Sequence, residues 1–131
     1  MSSPARLAFF ERTKLVTLIG TGHLYSHFSN LALPPLFLGL RSEFEVNFVT
    51  LGTAVAAANL ATGVSQVPFG VMVDRLGGRV TLLIGLLMIG AGFVLMGLAT
   101  EFWQIIALSI VVGAGNGVFH PADYSILSAR V

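Results

Sequence analysis

The sequence predicts an all-α, polytopic membrane protein with four transmembrane helices. Of its 131 residues, 55% are hydrophobic and only 10% are charged, and the mean hydropathy is +0.87. Soluble domains carry about 25% charged residues, and a small domain cannot bury this much apolar surface. Four segments supply the roughly 20 apolar helical residues that cross a hydrocarbon core of about 30 Å. Lipid is therefore the predicted solvent.

Net charge and cysteine content exclude several other classes of protein. The net charge of +1 argues against a nucleic-acid partner. The chain has no cysteine, which excludes a disulfide framework and a thiolate metal site. No motif in the sequence predicts a cofactor.

The first helix is predicted over about residues 15–40, after an N-terminal tail of residues 1–14. Its middle carries His23, His27 and Asn30, followed by Pro34, with spacings of four, three and four. At 100° per residue these positions form a narrow stripe. Because polar groups are costly against lipid, we expect the stripe to face protein or a water-filled cavity. The length and polar middle of this segment distinguish it from a cleaved signal peptide.

The second and third helices are predicted over about residues 46–73 and 80–99. The second carries Asn59 and Gln66 on the same face as Gly63 and Gly70, again with 4-3-4 spacing. The two amides are compatible with interhelical hydrogen bonds and equally with the lining of a cavity. The third helix has no charge and no polar stripe, so we expect it to face mainly lipid.

The fourth helix is predicted over about residues 102–124. It carries Asn116, His120 and Asp123, and Pro121 frees the carbonyl group of Gly117 from its helical hydrogen bond. The small residues Gly113, Gly115 and Gly117 are expected at close helix contacts. His120 and Asp123 lie one turn apart, but no third ligand accompanies them, so we predict no metal site and no intramembrane enzyme.

Basic residues predict that the N-terminus is cytoplasmic. One side of the predicted membrane carries acidic residues and a single arginine, whereas the other side carries most of the cations. The cationic side comprises Arg6, Arg12, Lys14, Arg75, Arg79 and Arg130, and the acidic side comprises Glu43, Glu45 and Glu101 with Arg41.

The turn between the second and third helices concentrates charge. Asp74 is predicted just beyond the C-terminal end of a helix, where the helix dipole disfavours a carboxylate. Arg75 and Arg79 are nearby cations, but the positive end of another helix is a better partner for this acid. Gly77 and Gly78 permit a tight reversal and a close backbone approach.

These residues resemble a known signature. The pattern Gly70-x-x-x-Asp74-Arg75-x-Gly77-x-Arg79 resembles the motif between helices two and three of the major facilitator superfamily, except that Gly78 replaces a usual basic residue. Residues 22–44 and 111–127 are similar to the fosmidomycin-resistance-like branch, which shares the run Val-Phe-His-Pro at 118–121. Many relatives carry an acid in helix one at the position where His27 stands here.

The resemblance implies a membrane transporter of the bacterial inner membrane that moves a small solute by alternating access. It implies that residues 1–131 form part of an N-terminal six-helix bundle in a truncated chain, whose missing C-terminal helices are partners. Asp74, Arg75 and Arg79 would then act as a conformational latch with Gly70 and Gly77.

The histidines and Asp123 would be the groups available for proton-coupled drug efflux. Two alternatives remain: a self-contained four-helix protein that exports as a homo-oligomer, and a non-transporting membrane assembly module.

Overall fold

Every regular element in the computed structural model is helical across the described residues, which are 4–130 for the backbone and 9–128 for the side chains. The all-α prediction is confirmed. The side chains of Arg6 and Arg130 lie outside the described set. In chain order the elements are α1 (Pro4–Asn30), a 3₁₀ helix (Pro34–Leu36), α2 (Phe37–Phe44), α3 (Phe48–Leu76), α4 (Gly78–Met96), α5 (Phe102–Gly117) and α6 (Phe119–Arg130).

Three helical stretches in the described part of the chain are long and apolar enough to cross a membrane. They are Phe48–Leu76, Gly78–Met96 and Phe102–Ser128, the last of which joins α5 to most of α6. Helix α1 has 27 residues, which corresponds to about 40 Å at 1.5 Å per residue. It is not one of the three, and its C-terminal half holds serines, histidines and an asparagine. The chain is an integral membrane protein.

The predicted extent of the first helix, 15–40, is wrong at both ends. Helix α1 begins at Pro4, inside the predicted tail, and ends at Asn30. Pro34 and Pro35 have no N–H group to donate to the carbonyls of Asn30 and Leu31. The chain therefore leaves the helix, forms one 3₁₀ turn and starts again as α2.

The turn between α3 and α4 consists of one residue. Gly77 has φ +82°, and its N–H donates to the carbonyl of Val73 at 2.8 Å. Helix α3 therefore continues to Leu76, and Asp74 lies in its last turn rather than beyond its end, which corrects the prediction. Nothing between residues 74 and 76 stops a helix, whereas Gly77 adopts the left-handed region that favours glycine.

Gly78 begins α4 at a close contact with α6. A Cβ atom added there would lie 2.7 Å from Cγ1 of Ile126 and 3.2 Å from the carbonyl oxygen of Ala122. This contact is the structural reason for glycine at a position where the resembling signature has a basic residue. The predicted tight reversal and close approach at Gly77 and Gly78 are both confirmed.

Glycines place α5 against both of its neighbours. A Cβ atom on Gly113 would overlap the backbone of Ala58 in α3, and one on Gly117 would overlap Ser65. On the other side, a Cβ atom on either Gly85 or Gly115 would lie 2.8 Å from the carbonyl oxygen of the other. The prediction that the α5 glycines are close-packing positions is confirmed.

Helix α4 buries one face and exposes the other. Thr81, Gly85 and Ile89 are buried towards α5 and α6, whereas Leu83 and Leu87 are 60% and 70% exposed. The exposed face of α4 is apolar like its buried face, which agrees with the expectation that the third predicted span faces mainly lipid.

The fourth predicted helix is interrupted near its end. Helix α5 stops at Gly117, Val118 forms a turn, and α6 runs from Phe119 to Arg130, beyond the predicted end at 124. Pro121 cannot donate to the carbonyl of Gly117, so the break occurs where the sequence predicts it. The chain continues in almost the same direction, since the N–H of Ala122 donates to the carbonyl of Val118 at 3.2 Å.

Candidate functional site

Four ionisable side chains meet where α1 passes α6, and we refer to them as the polar cluster: His23, His27, His120 and Asp123. Nδ1 of His23 lies 3.0 Å from Oδ2 of Asp123. Nε2 of His27 lies 3.2 Å from Nε2 of His23, and the ring of His120 packs edge-on against the ring of His23 with centroids 5.4 Å apart. The structure thus unites the predicted stripes of the first and fourth helices.

The direction of hydrogen bonding along these contacts depends on the protonation states of the groups. With Asp123 ionised, its carboxylate only accepts, so Nδ1–H of His23 donates to it. With His23 neutral, its Nε2 then carries a lone pair and accepts from Nε2–H of His27. In this state the contacts form a directed relay from His27 through His23 to Asp123.

The cluster is graded from buried to exposed. Asp123 has 8% of its surface exposed, whereas 37% of the His23 side chain is accessible, and His27 and His120 are exposed. The acid is therefore held inside the helix bundle, and the imidazoles connect it to the open face.

Asn30 and Asn116 form a second polar contact between α1 and α5. Nδ2 of Asn116 donates to Oδ1 of Asn30 at 3.1 Å. Asn116 is 1% exposed, and its Oδ1 has no hydrogen-bond partner among the described residues. A buried acceptor without a donor costs free energy, so this amide is available to a donor from a ligand or from water.

The stripe predicted on the second helix does not join these contacts. Asn59 is exposed and Gln66 is half-buried, and neither side chain forms a hydrogen bond with any other described residue. Gly63 and Gly70 likewise have no neighbouring atoms within 4 Å of an added Cβ. The structure brings together two of the three predicted stripes, and a cavity-lining role for Asn59 and Gln66 stays a prediction.

Two hydroxyl groups that the sequence interpretation missed attach α3 to α5. Oγ1 of Thr62 donates to the carbonyl of Gly113 at 2.8 Å, and Oγ of Ser65 lies 3.2 Å from the carbonyl of Ala114. Their spacing of three residues places them on one face of α3. Because serine and threonine also bond to their own helix, the sequence alone did not distinguish these two from the others.

The charged turn lies apart from the polar cluster. Asp74, Arg75 and Arg79 are all exposed, and the structure records no ion pair for Asp74 among the described residues. Asp74 borders a pocket of about 370 Å³ between the end of α3 and the outer surface of α6. The remaining lining of this pocket is Gly70, Val73, Pro121, Tyr124, Ser125 and Ser128.

Metal binding finds no support in the described part of the chain. Among residues 9–128 the structure contains no group of three histidine, cysteine, aspartate or glutamate side chains that could hold a metal ion.

A family model described as Major Facilitator Superfamily matches residues 19–131. The chain is 37% identical over 90 residues to a protein named tetracycline resistance protein, class G, of Vibrio anguillarum, an alignment that covers 68% of this chain and 23% of the relative. It is 34% identical over 91 residues to the fosmidomycin resistance protein of Escherichia coli (strain K12), which covers 70% of this chain and 22% of the relative.

A third relative extends the match along the chain. A probable L-galactonate transporter of Escherichia coli (strain K12) is 22% identical over 117 residues, which is 89% of this chain and 26% of the relative. The chain spans about a quarter of the length of these curated relatives. No solved structure matches it.

Proposed function

This chain belongs to the major facilitator superfamily, and we propose that it forms part of a membrane transporter that moves a small solute by alternating access. The observation that carries the proposal is the contact between His23 and Asp123, a pair of ionisable side chains hydrogen-bonded between two helices of a largely apolar bundle. Ionisable groups inside membrane helices are costly and mark solute or ion pathways. We infer no enzymatic activity.

The geometry supports proton coupling through the relay. Addition of a proton to Nε2 of His23 would set two N–H groups against each other across the 3.2 Å contact with His27. His27 would then either turn away or carry its proton on Nδ1 and accept from His23, so one proton changes the hydrogen bond on the open face while the contact with Asp123 is retained. Histidine is suited to this role, because its charge changes near physiological pH in many proteins.

Two further polar side chains lie beside this relay. His120 packs against His23 from α6, and Arg79 of α4 borders the same groove as Asp123. Asp123 and the unpaired Oδ1 of the buried Asn116 supply hydrogen-bond acceptors, and His27 and His120 supply exposed polar groups, for a polar solute.

The names of two relatives suggest the kind of solute. They are named for resistance to tetracycline and to fosmidomycin, and further relatives are named as multidrug resistance proteins. We infer proton-coupled export of an antibiotic-like compound across a bacterial inner membrane, with the N-terminus in the cytoplasm.

The turn at the end of α3 is proposed to act as a conformational latch. Asp74 lies in the last turn of a helix, at the negative end of its dipole, and has no cationic partner among the described residues. It therefore favours a positive group from outside the described helices, such as the start of a helix from the C-terminal part of a longer transporter. The pocket of about 370 Å³ beside it leaves space for that partner.

Transport driven by a pH gradient tests the proton relay. In proteoliposomes that contain the longer transporter, Asp123→Asn and His27→Ala are each expected to abolish the response to the gradient while solute equilibration persists.

The matched control is Tyr25→Phe, which removes an ionisable hydroxyl from α1 without altering the polar cluster. Its driven transport should equal that of the unmodified protein. If both cluster variants retain the full response to the gradient, the relay does not couple protons.

A further inference from the structure

We propose that Ser65 is a positioning residue for the polar cluster. Its hydroxyl supplies the hydrogen bond that the carbonyl of Ala114 lacks at the break between α5 and α6, and it thereby holds α6, which carries Asp123, in place against α3. The role of Ser65 at the break stands on geometry alone, whereas its consequence for driven transport rests on the proposed function.

The break between α5 and α6 leaves one carbonyl without its usual helical donor. In an uninterrupted α-helix the N–H of Val118 would donate to the carbonyl of Ala114, four residues earlier. In this structure that N–H bonds instead to the carbonyl of Gly115 at 3.4 Å, beyond the usual range of about 2.7–3.2 Å. Ala114 therefore needs a donor from outside its own helix.

The hydroxyl of Ser65 is placed to be that donor. Its Oγ lies 3.2 Å from the carbonyl oxygen of Ala114 and 3.1 Å from that of Thr62 in its own helix, and a hydroxyl has a single proton to donate. The carbonyl of Thr62 already accepts from the N–H of Gln66 within α3. Donation to Ala114 therefore satisfies the group that lacks a partner.

The contact between Ser65 and the break is complete within the described helices. Ser65 is 8% exposed, and a Cβ atom on Gly117, the last residue of α5, would overlap it. Glycine at position 117 thus leaves the space through which Ser65 reaches the break. The arrangement does not depend on what covers the open faces of the bundle.

The break determines where two members of the polar cluster lie. His120 and Asp123 are the second and fifth residues of α6, so a change at Val118 moves both. Oδ2 of Asp123 lies 3.0 Å from Nδ1 of His23 on α1, and such a bond weakens when its atoms are misaligned. Ser65 forms no hydrogen bond with the cluster among residues 9–128, so it acts on the relay through α6.

A double-mutant cycle with Pro121 tests the role of Ser65 at the break. Pro121→Ala restores an N–H that can donate to the carbonyl of Gly117, so α5 and α6 can form one helix. In that helix Val118 would again donate to Ala114, and the hydroxyl of Ser65 would not be needed. Ser65→Ala should raise the unfolding equilibrium constant in mixed micelles about 5-fold, but less than about 2-fold when Pro121→Ala is also present.

Thr62→Val is the matched control for this cycle. The hydroxyl of Thr62 also joins α3 to α5, at 2.8 Å from the carbonyl of Gly113, but that carbonyl keeps the N–H of Gly117 as its helical donor. Its effect on unfolding should be the same with and without Pro121. An equal cost of Ser65→Ala in both backgrounds, or the same dependence on Pro121 for Thr62→Val, would overturn the proposal.

Nitrogen NMR of the imidazoles tests the effect of Ser65 on the polar cluster. The chain has three histidines, so labelling histidine with ¹⁵N gives few signals. In Ser65→Ala the Nδ1 signal of His23 should shift, because its bond to Asp123 weakens, whereas Thr62→Val should leave it in place. An unchanged His23 signal in Ser65→Ala would overturn the positioning role.

Driven transport by the longer transporter distinguishes this inference from the proposed function. Ser65→Ala should reduce the response to a pH gradient, and Thr62→Val should not. If the unfolding cycle and the His23 signal change as expected while the response to the gradient stays intact, Ser65 positions α6 and the proposed proton relay is wrong.

Discussion

At the interface of α4 and α5, Gly85 and Gly115 bring the two backbones so close that a Cβ atom on either would lie 2.8 Å from the carbonyl oxygen of the other. Helix α1, by contrast, reaches α6 through the side chains of His23 and Asp123, and leaves His27 and His120 exposed. One interface consists of backbone against backbone, and the other consists of polar side chains beside open space.

The difference assigns separate tasks to the two regions. Inside a membrane the hydrophobic effect does not drive α3, α4 and α5 together, because lipid tails are as apolar as their side chains. Close van der Waals packing through small residues must therefore hold these helices together. Polar contacts in membranes contribute little stability, about 0.6 kcal/mol on average, so the contact between α1 and α6 adds little to the stability of the bundle. Its ionisable groups are better explained by function, and the packed region is better explained by stability.

The largest expected effect is a loss of stability from filling a glycine contact in the packed region. Gly113→Ala should destabilise the protein by about 1–3 kcal/mol, because the added Cβ meets the backbone of Ala58, which no side-chain rotation can relieve. Unfolding in mixed micelles would measure it.

Gly90→Ala is the matched control, since Gly90 lies inside α4 and has nothing within 4 Å of an added Cβ. Alanine is the better helix former, so this variant should be neutral or slightly stabilising. If both variants lose the same stability, the loss in Gly113→Ala does not come from the close contact with Ala58.

A smaller effect is expected at the amide pair between α1 and α5. Asn30→Ala should lower the free energy of unfolding by about 1 kcal/mol, because neither Nδ2 nor Oδ1 of the buried Asn116 would then have a hydrogen-bond partner. The double variant Asn30→Ala/Asn116→Leu should recover most of that loss, since no buried polar group then remains. The same unfolding measurement applies, and a double variant that is less stable than the single one would contradict the assignment of Asn116 as an under-satisfied group.

The smallest expected effect on stability is at the end of α3. Asp74→Asn should change the unfolding free energy by less than about 0.5 kcal/mol, because Asp74 is exposed and has no ion-pair partner among the described residues. In the longer transporter the same substitution should shift the balance of inward- and outward-facing states, measured by distances between spin labels, while substrate affinity is retained. A collapse of substrate affinity without a shift in that balance would show that Asp74 is a substrate group and not a latch.

Much of the architecture follows from local features of the sequence. The apolar runs predicted the helices of α3, α4 and α5, and Pro121 predicted the interruption at Val118. Pro34 and Pro35 also indicated that α1 ends before them, but the apolar residues around them suggested one continuous helix. Composition indicates which solvent surrounds a segment, whereas the missing N–H groups of proline decide whether one helix continues through it.

The candidate site was predictable only in part. Periodicity correctly grouped His23, His27 and Asn30 on one face of α1, and it placed Asn59 and Gln66 on one face of α3 with equal clarity. Only the first group found partners in the described structure. The hydroxyls of Thr62 and Ser65, which do bond across helices, carry no periodic signal that distinguishes them from hydroxyls bonded within their own helix.

The sequence by itself determined that this protein is a helical membrane protein. It also determined where a glycine permits the chain to reverse and which polar residues share a helix face. These properties depend on hydropathy, on backbone sterics and on the 3.6-residue period, all of which act over a few residues. The tertiary structure decided that His23 meets Asp123, a residue 100 positions away, and that Asn30 meets Asn116. A helix fixes the direction of its side chains about its own axis, but only packing against other helices fixes its rotation and its neighbours.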